Sequence, residues 1–187
     1  NTTMKTCMPM LDSMTAGYTI PLPCDLQITR DDAGLPLFKW QVEAYDLISG
    51  HGEEQVPDAM IPEEYGRKPY KFTNLYSMEL PEGYSAIYCH PINRFDLPFM
   101  SLTGIVDIDT YRMPVNFPFL LRKDFEGIIE AGTPMIQIIP FKREAWTHEV
   151  NKEFDEKQKE VNEGRGLMNS RMWKVYKRYF WNRKEFK

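Results

Sequence analysis

The chain has 187 residues, enough for one domain with an appendage rather than two full domains. Hydrophobic residues make up 42% and aromatic residues 13%, which fills a sizeable core and excludes global disorder. A net charge of −4 gives no global case for nucleic-acid binding. The sequence holds no run of about eighteen apolar residues and no basic-then-apolar leader, so neither a membrane span nor a secretion signal is expected.

Fourteen prolines against eleven glycines predict short strands and ordered turns rather than a helical bundle. Near the start, Met8-Pro9-Met10-Leu11 reads as the beginning of a short helix, with Asp12 or Ser13 as alternative caps. Residues 16–28 read as extended. Pro21 and Pro23 bar this stretch from an interior ladder, which predicts an edge strand or a crossover. Leu26 to Arg30 alternates as a strand, Asp31-Asp32-Ala33-Gly34 turns, and Leu37 to Val42 returns to complete a hairpin. Residues 45–70 keep no period and read as a surface excursion, of the kind that is functional or packs on a neighbour.

From Lys71 to Phe141 the strand signal is strongest. Tyr84–Cys89, Ile105–Asp109, Val115–Leu120, Phe125–Ile129 and Met135–Phe141 are apolar, β-prone runs divided by turn residues. On this pattern residues 1–143 form a β domain. Residues 144–187 form a helical arm, charged over 142–163, broken at Gly164-Arg165-Gly166, then basic and aromatic. In that tail Met172, Tyr176 and Tyr179 or Phe180 fall at helical spacing beside Trp173 and Lys177. Such a face could grip single-stranded nucleic acid by stacking and phosphate contact. The commoner use is docking on a protein partner or a neighbouring subunit, with the cations directed outward. Cys7, Cys24 and Cys89 are expected to be buried free thiols, in keeping with a reducing compartment. His51, His90 and His148 are too dispersed for a zinc site.

The order of features between Gly83 and Gln137 carries chemistry. Arg94 lies in a loop, Gly104-Ile105-Val106-Asp107-Ile108-Asp109-Thr110-Tyr111-Arg112 follows, and Gly132-Thr133-Pro134-Met135-Ile136-Gln137 closes the series. This resembles the dUTPase and dCTP-deaminase superfamily, with its Arg-Ser-Ser loop, its Gly-Val-Ile-Asp-x-Asp-Tyr-Arg hairpin and its Gly-x-x-Ile-Ala-Gln strand. The likeness covers about sixty residues. It implies an antiparallel β-barrel or distorted jelly-roll that assembles as a homotrimer. It also implies roles: Asp107 orients the attacking water, Tyr111 stacks under the sugar, Arg94 and Gln137 contact phosphates, and magnesium bridges phosphate oxygens. Against this, Phe95-Asp96 replaces the paired serines, so a carboxylate stands where two hydroxyl donors would be. Thr110 is an insertion, and no glycine-rich C-terminal phosphate loop is present in the sequence.

Three strings, Cys7–Tyr18, His90–Phe99 and Pro114–Phe119, resemble an uncharacterised family found in tailed phages, including cyanophages, and in some bacteria. That likeness implies a location in the host cytoplasm or the virion. Together the features predict a non-catalytic phage protein that uses a dUTPase-like scaffold for assembly or partner binding. The alternative is a magnesium-dependent nucleotide-binding or nucleotide-hydrolysing enzyme. The residues at issue are His90, Asn93, Arg94, Asp96, Tyr111 and Gln137 as ligand contacts and Asp107 as the catalytic base. Two arrangements satisfy the loop cluster: His90, Asn93, Arg94 and Asp96 line a pocket, or Arg94 and Asp96 pair to brace their own loop. Asp107 and Asp109, read as alternate residues of one strand, either share a divalent ion with a phosphate ligand, or face solvent or cap a hairpin turn.

Overall fold

The computed structural model describes residues 7–42, 46–148, 155–170 and 174–184. It divides into two compact units, one drawn from residues 1–16 and 144–187, the other spanning Gly17–Arg143. The sequence pattern places the N-terminal stretch with the β domain, whereas its described residues, 7–16, group with the C-terminal segment.

The larger unit is built of antiparallel strands in three sheets. In the first, β1 (Tyr18–Pro21), β11 (Pro134–Lys142), β6 (Tyr84–Cys89) and β8 (Gly104–Val106) lie side by side in that order. β1 sits at the edge, as Pro21 favours. The second sheet is β10 (Gly127–Ile129), β2 (Leu26–Arg30) and β3 (Pro36–Trp40), with the expected hairpin between β2 and β3. The third is β4 (Ile48–Gly50), β5 (Tyr70–Phe72), β9 (Phe117–Leu121) and β7 (Phe99–Ser101).

Aromatic rings fill the space between strands. Phe72 stacks on Phe119 at 4.0 Å between centroids, and Phe99 meets both edge-on. Strand alternation turns Tyr70 and Phe72, and Phe117 and Phe119, toward this cluster. β11 is different: Met135, Ile136, Gln137 and Ile138 are all buried, so both faces of this strand are covered. Gly17, at φ +67°, lets the chain pass against β11, where a Cβ would stand 2.0 Å from the carbonyl oxygen of Ile138.

Three expected features take another form. The excursion at residues 45–70 is partly core, because Leu47 and Ile48 are buried and β4 pairs with β5. Two adjacent apolar residues are too short a run to show a period. The strand expected to continue through Asp109 ends at Val106, and Asp107 to Thr110 turn. The Asp107 carbonyl accepts from the Thr110 N–H at 3.1 Å and the Tyr111 N–H at 2.8 Å. Of the thiols, all unpaired, Cys7 is exposed and Cys24 and Cys89 are half-buried.

The smaller unit holds α1 (Met8–Thr15), α2 (Asp155–Met168) and α3 (Val175–Tyr179). The N-cap of α1 is Cys7, with proline in the first turn, so Asp12 and Ser13 lie inside the helix. The expected break at Gly164-Arg165-Gly166 does not occur, since α2 runs through it to Met168. Asp12 receives the indole N–H of Trp181 at 2.8 Å and pairs with Lys184 at 2.9 Å, fastening the tail to α1. The bond to Lys184, followed by that to Trp181, holds the Asp12 carboxyl below its ordinary range. Lys177 and Lys184 both stand over the Trp181 ring, at 5.7 and 5.8 Å. Met172 and Trp173 of the expected tail face lie outside the described residues. Among those described, no helix is long and apolar enough to cross a membrane.

Candidate functional site

The predicted site residues fall into two groups, one at each end of β6. At its C-terminal end, Gln137 is paired in register with Cys89, is itself buried, and accepts the Ile92 N–H at 2.9 Å. This bond anchors the loop after β6. His90 anchors it again: Nδ1 accepts from the Ser101 N–H at 3.2 Å, so the proton is on Nε2, which donates to the Arg94 carbonyl at 3.0 Å. Burial, foremost among several effects, pushes the His90 imidazole below its ordinary pKa. Asn93 adopts φ +63°, a left-handed turn conformation that asparagine tolerates.

Arg94 and Asp96 form a fork-to-fork pair, Nε to Oδ1 and Nη2 to Oδ2, both at 2.8 Å. The pair lies at the surface. Its hydrogen bonding holds Arg94 above and Asp96 below their ordinary pKa values. Of the two arrangements open on sequence, the geometry is that of a braced loop.

At the N-terminal end of β6 a second cluster forms around Arg143. Asp109 accepts from both terminal nitrogens of the guanidinium, one of them at 3.0 Å, and from the Gly83 N–H at 2.9 Å. Asp107 accepts the Ser85 hydroxyl at 2.6 Å and Arg143 Nη1 at 3.3 Å. The guanidinium also donates to Ser85 Oγ and the Tyr84 carbonyl, both at 2.9 Å. Bonding to Arg143, with further help from the Gly83 N–H, lowers the Asp109 pKa to about 2. The aspartates thus share a guanidinium where a shared divalent ion was one expectation. Among the described residues no group of three or more His, Cys, Asp or Glu could hold a metal ion.

Tyr111 belongs to the same turn as Asp107 and is partly exposed. Ser85 and Cys89 are four residues apart on β6, roughly 13 Å at strand rise, so Asp107 and Gln137 do not converge within one chain. Arg143 went unnoticed in the sequence because it follows β11 directly and lies 34 residues from Asp109, with no local spacing to betray the pair.

No family model and no curated protein matches this chain. Asp107 keeps an accessible carboxylate, with 63% of its side chain exposed, while Asp109 is only 4% exposed. Beside Tyr111, two segments without regular structure run together: Asn74 N–H donates to the Asn116 side chain at 3.0 Å, and Arg112 pairs with Glu79 at 3.5 Å. On these two segments Leu75, Tyr76, Tyr111 and Met113 are all exposed.

Proposed function

We propose that this is a non-catalytic protein, of phage type, whose β unit is a dUTPase-like scaffold for assembly or partner binding. One observation carries the proposal: Arg94 and Asp107, which would perform nucleotide chemistry, are already engaged in bonds within the chain. The Nε–Nη2 fork of Arg94 is taken by Asp96, and Asp107 is tied to Ser85 and Arg143. A phosphate would have to displace an intramolecular carboxylate to reach the Arg94 fork. The exposure of Leu75, Tyr76, Tyr111 and Met113 on two adjoining segments supports an interaction role. A homotrimer is the assembly proposed, and the C-terminal segment is a second surface for a virion or host partner.

Light scattering of the purified protein tests the assembly, with three chain masses as the expected result. Replacement of Tyr76 and Met113 by serine should then dissociate the trimer while leaving the fold intact. A monomer at all concentrations would overturn the homotrimer.

A second reading, a magnesium-dependent nucleotide-binding or nucleotide-hydrolysing enzyme with Asp107 as base, draws on the accessibility of that one carboxylate. Under it, deoxynucleoside triphosphate with magnesium would raise the melting temperature by mass action, and Asp107→Asn would abolish turnover. The non-catalytic proposal expects no turnover with any nucleotide. A measurable rate that Asp107→Asn removes would replace it.

A further inference from the structure

The β unit contains a basic cleft of about 420 Å³, a size in the range typical of small-ligand sites. Its cations come from three separate stretches: Arg30 at the end of β2, Arg67 and Lys68 ahead of β5, and Lys123 just past β9. Backbone pairing holds these stretches in place. Tyr65 bridges to Arg122, the Gly66 N–H donates to the Leu121 carbonyl at 2.8 Å, and the Lys123 N–H donates to the Glu64 carbonyl at 3.0 Å. The segment at 64–66 therefore runs antiparallel to 121–123, with Glu64 opposite Lys123, and Arg67 and Lys68 continue from it along the lining of the same cleft.

The charges in this cleft are poorly compensated. Arg67 pairs with Asp58 at 3.2 Å at the surface. Arg30, Lys68 and Lys123 form no ion pair among the described residues. Four cations line the cleft against one carboxylate, Glu53.

Arg30 is the best placed of them. Its terminal nitrogens donate to the carbonyls of Gly34 at 2.8 Å and Arg122 at 2.9 Å, while Nε is buried without a partner. Carbonyls fix the guanidinium without neutralising it. Its orientation is set before any ligand arrives, so little side-chain entropy remains to be lost on binding. A half-buried cation held this way costs desolvation energy that an anion in the cleft would offset.

We propose that this cleft binds a small anion carrying two or three linked phosphates, with Leu35 at the rim as an apolar contact for the rest of the molecule. Several separated cations around a concave volume match a multiply charged, compact ligand better than a single carboxylate. A nucleic-acid strand fits less well. The aromatic lining residue, Tyr70, is only 8% exposed and packs against Phe38 and Phe119, so no ring is offered for base stacking. Neither Asp107 nor Arg94 lines this cleft, so the inference stands apart from the assembly role.

The test is isothermal titration of the full chain with inorganic tripolyphosphate, without magnesium, at low and at physiological salt. One site per chain is expected. Lys68→Gln with Lys123→Gln should weaken it at least about tenfold, a loss of about 1.4 kcal/mol. Both lysines are exposed and neither forms an ion pair among the described residues. Lys68 stands over the Tyr70 ring at 5.9 Å, so the melting temperature of the unliganded double variant should fall only slightly. Lys123→Gln alone, which leaves that contact in place, gives a milder second reading with the melting temperature unchanged. Lys39→Gln, on the exposed face of β3 and outside the cleft, is the charge-matched control and should bind like wild type. The proposal fails if tripolyphosphate gives no binding heat at low salt. It fails equally if Lys39→Gln weakens binding as much as the cleft lysines do, since that would be diffuse attraction.

Discussion

Asp107 and Asp109 meet the same guanidinium but differ in what water can reach. Asp109, nearly buried and bonded to Arg143 and the Gly83 N–H, is a structural anion that stays charged down to about pH 2. Its contribution to stability is complete above the ordinary carboxylate pKa and fades as pH falls through the folded value. His90 behaves in the opposite chemical sense. Protonation at Nδ1 would destroy the acceptor for the Ser101 N–H and place charge in a half-buried site flanked by Arg94 and Asp96. The folded pKa lies below the unfolded one, so the unfolded chain takes up the proton first. Stability should therefore decline as pH drops below about 6.5 and level off once the folded histidine is also protonated. Urea midpoints measured from pH 8 to pH 5 should show this step in the wild type and lose it in His90→Gln, whose amide can accept and donate without titrating. An identical step in both proteins would mean that another group is responsible.

At the scale of elements, the aromatic contacts among β5, β7 and β9 form the third sheet's share of the core. Phe72→Ala removes a ring with no exposed surface that stacks on Phe119 and meets Phe99, leaving a cavity between strands that have no spare side chain to fill it. The expected loss is about 3–5 kcal/mol, read as a lower urea midpoint with an unchanged slope. A loss below about 1 kcal/mol would mean that the strands collapse into the space. Why some elements were legible in the sequence and others not follows from such packing. Tyr84–Cys89 and Met135–Phe141 are unbroken β-prone runs, and both are strands in the first sheet. Ile105–Asp109 alternates just as well, yet two N–H groups close on the Asp107 carbonyl and end the strand at Val106. Two glycines in α2 cost about 1 kcal/mol each relative to alanine, but no proline removes a hydrogen bond there, and the helix continues. The candidate site was less legible still. Arg94 and Asp96 are two residues apart and readable as a pair, whereas Asp109 with Arg143, and Arg30 with Lys68 and Lys123, meet only through strand pairing.

For the whole molecule, the question is which part of the chain holds a complete core. Every residue of the main hydrophobic cluster, from Leu22 to Ile138, lies in the unit Gly17–Arg143, and so do the partly buried residues packed on it. All eleven strands among the described residues are there as well, together with Arg143, whose backbone N–H closes on the Gly83 carbonyl at 2.8 Å. The smaller unit depends on the two chain ends meeting, through Trp181 and Lys184 on Asp12. A protein of residues 17–143 should therefore fold alone, with one cooperative thermal transition and slow amide exchange in β6, β9 and β11. Because the four cations of the basic cleft also lie within these bounds, tripolyphosphate should raise its melting temperature as it does that of the full chain. An unfolded fragment would show that residues 1–16 and 144–187 supply burial that the cluster around Phe72 and Phe119 cannot replace. A folded fragment that ignores tripolyphosphate, beside a full chain that binds it, would instead move the anion site out of the β unit.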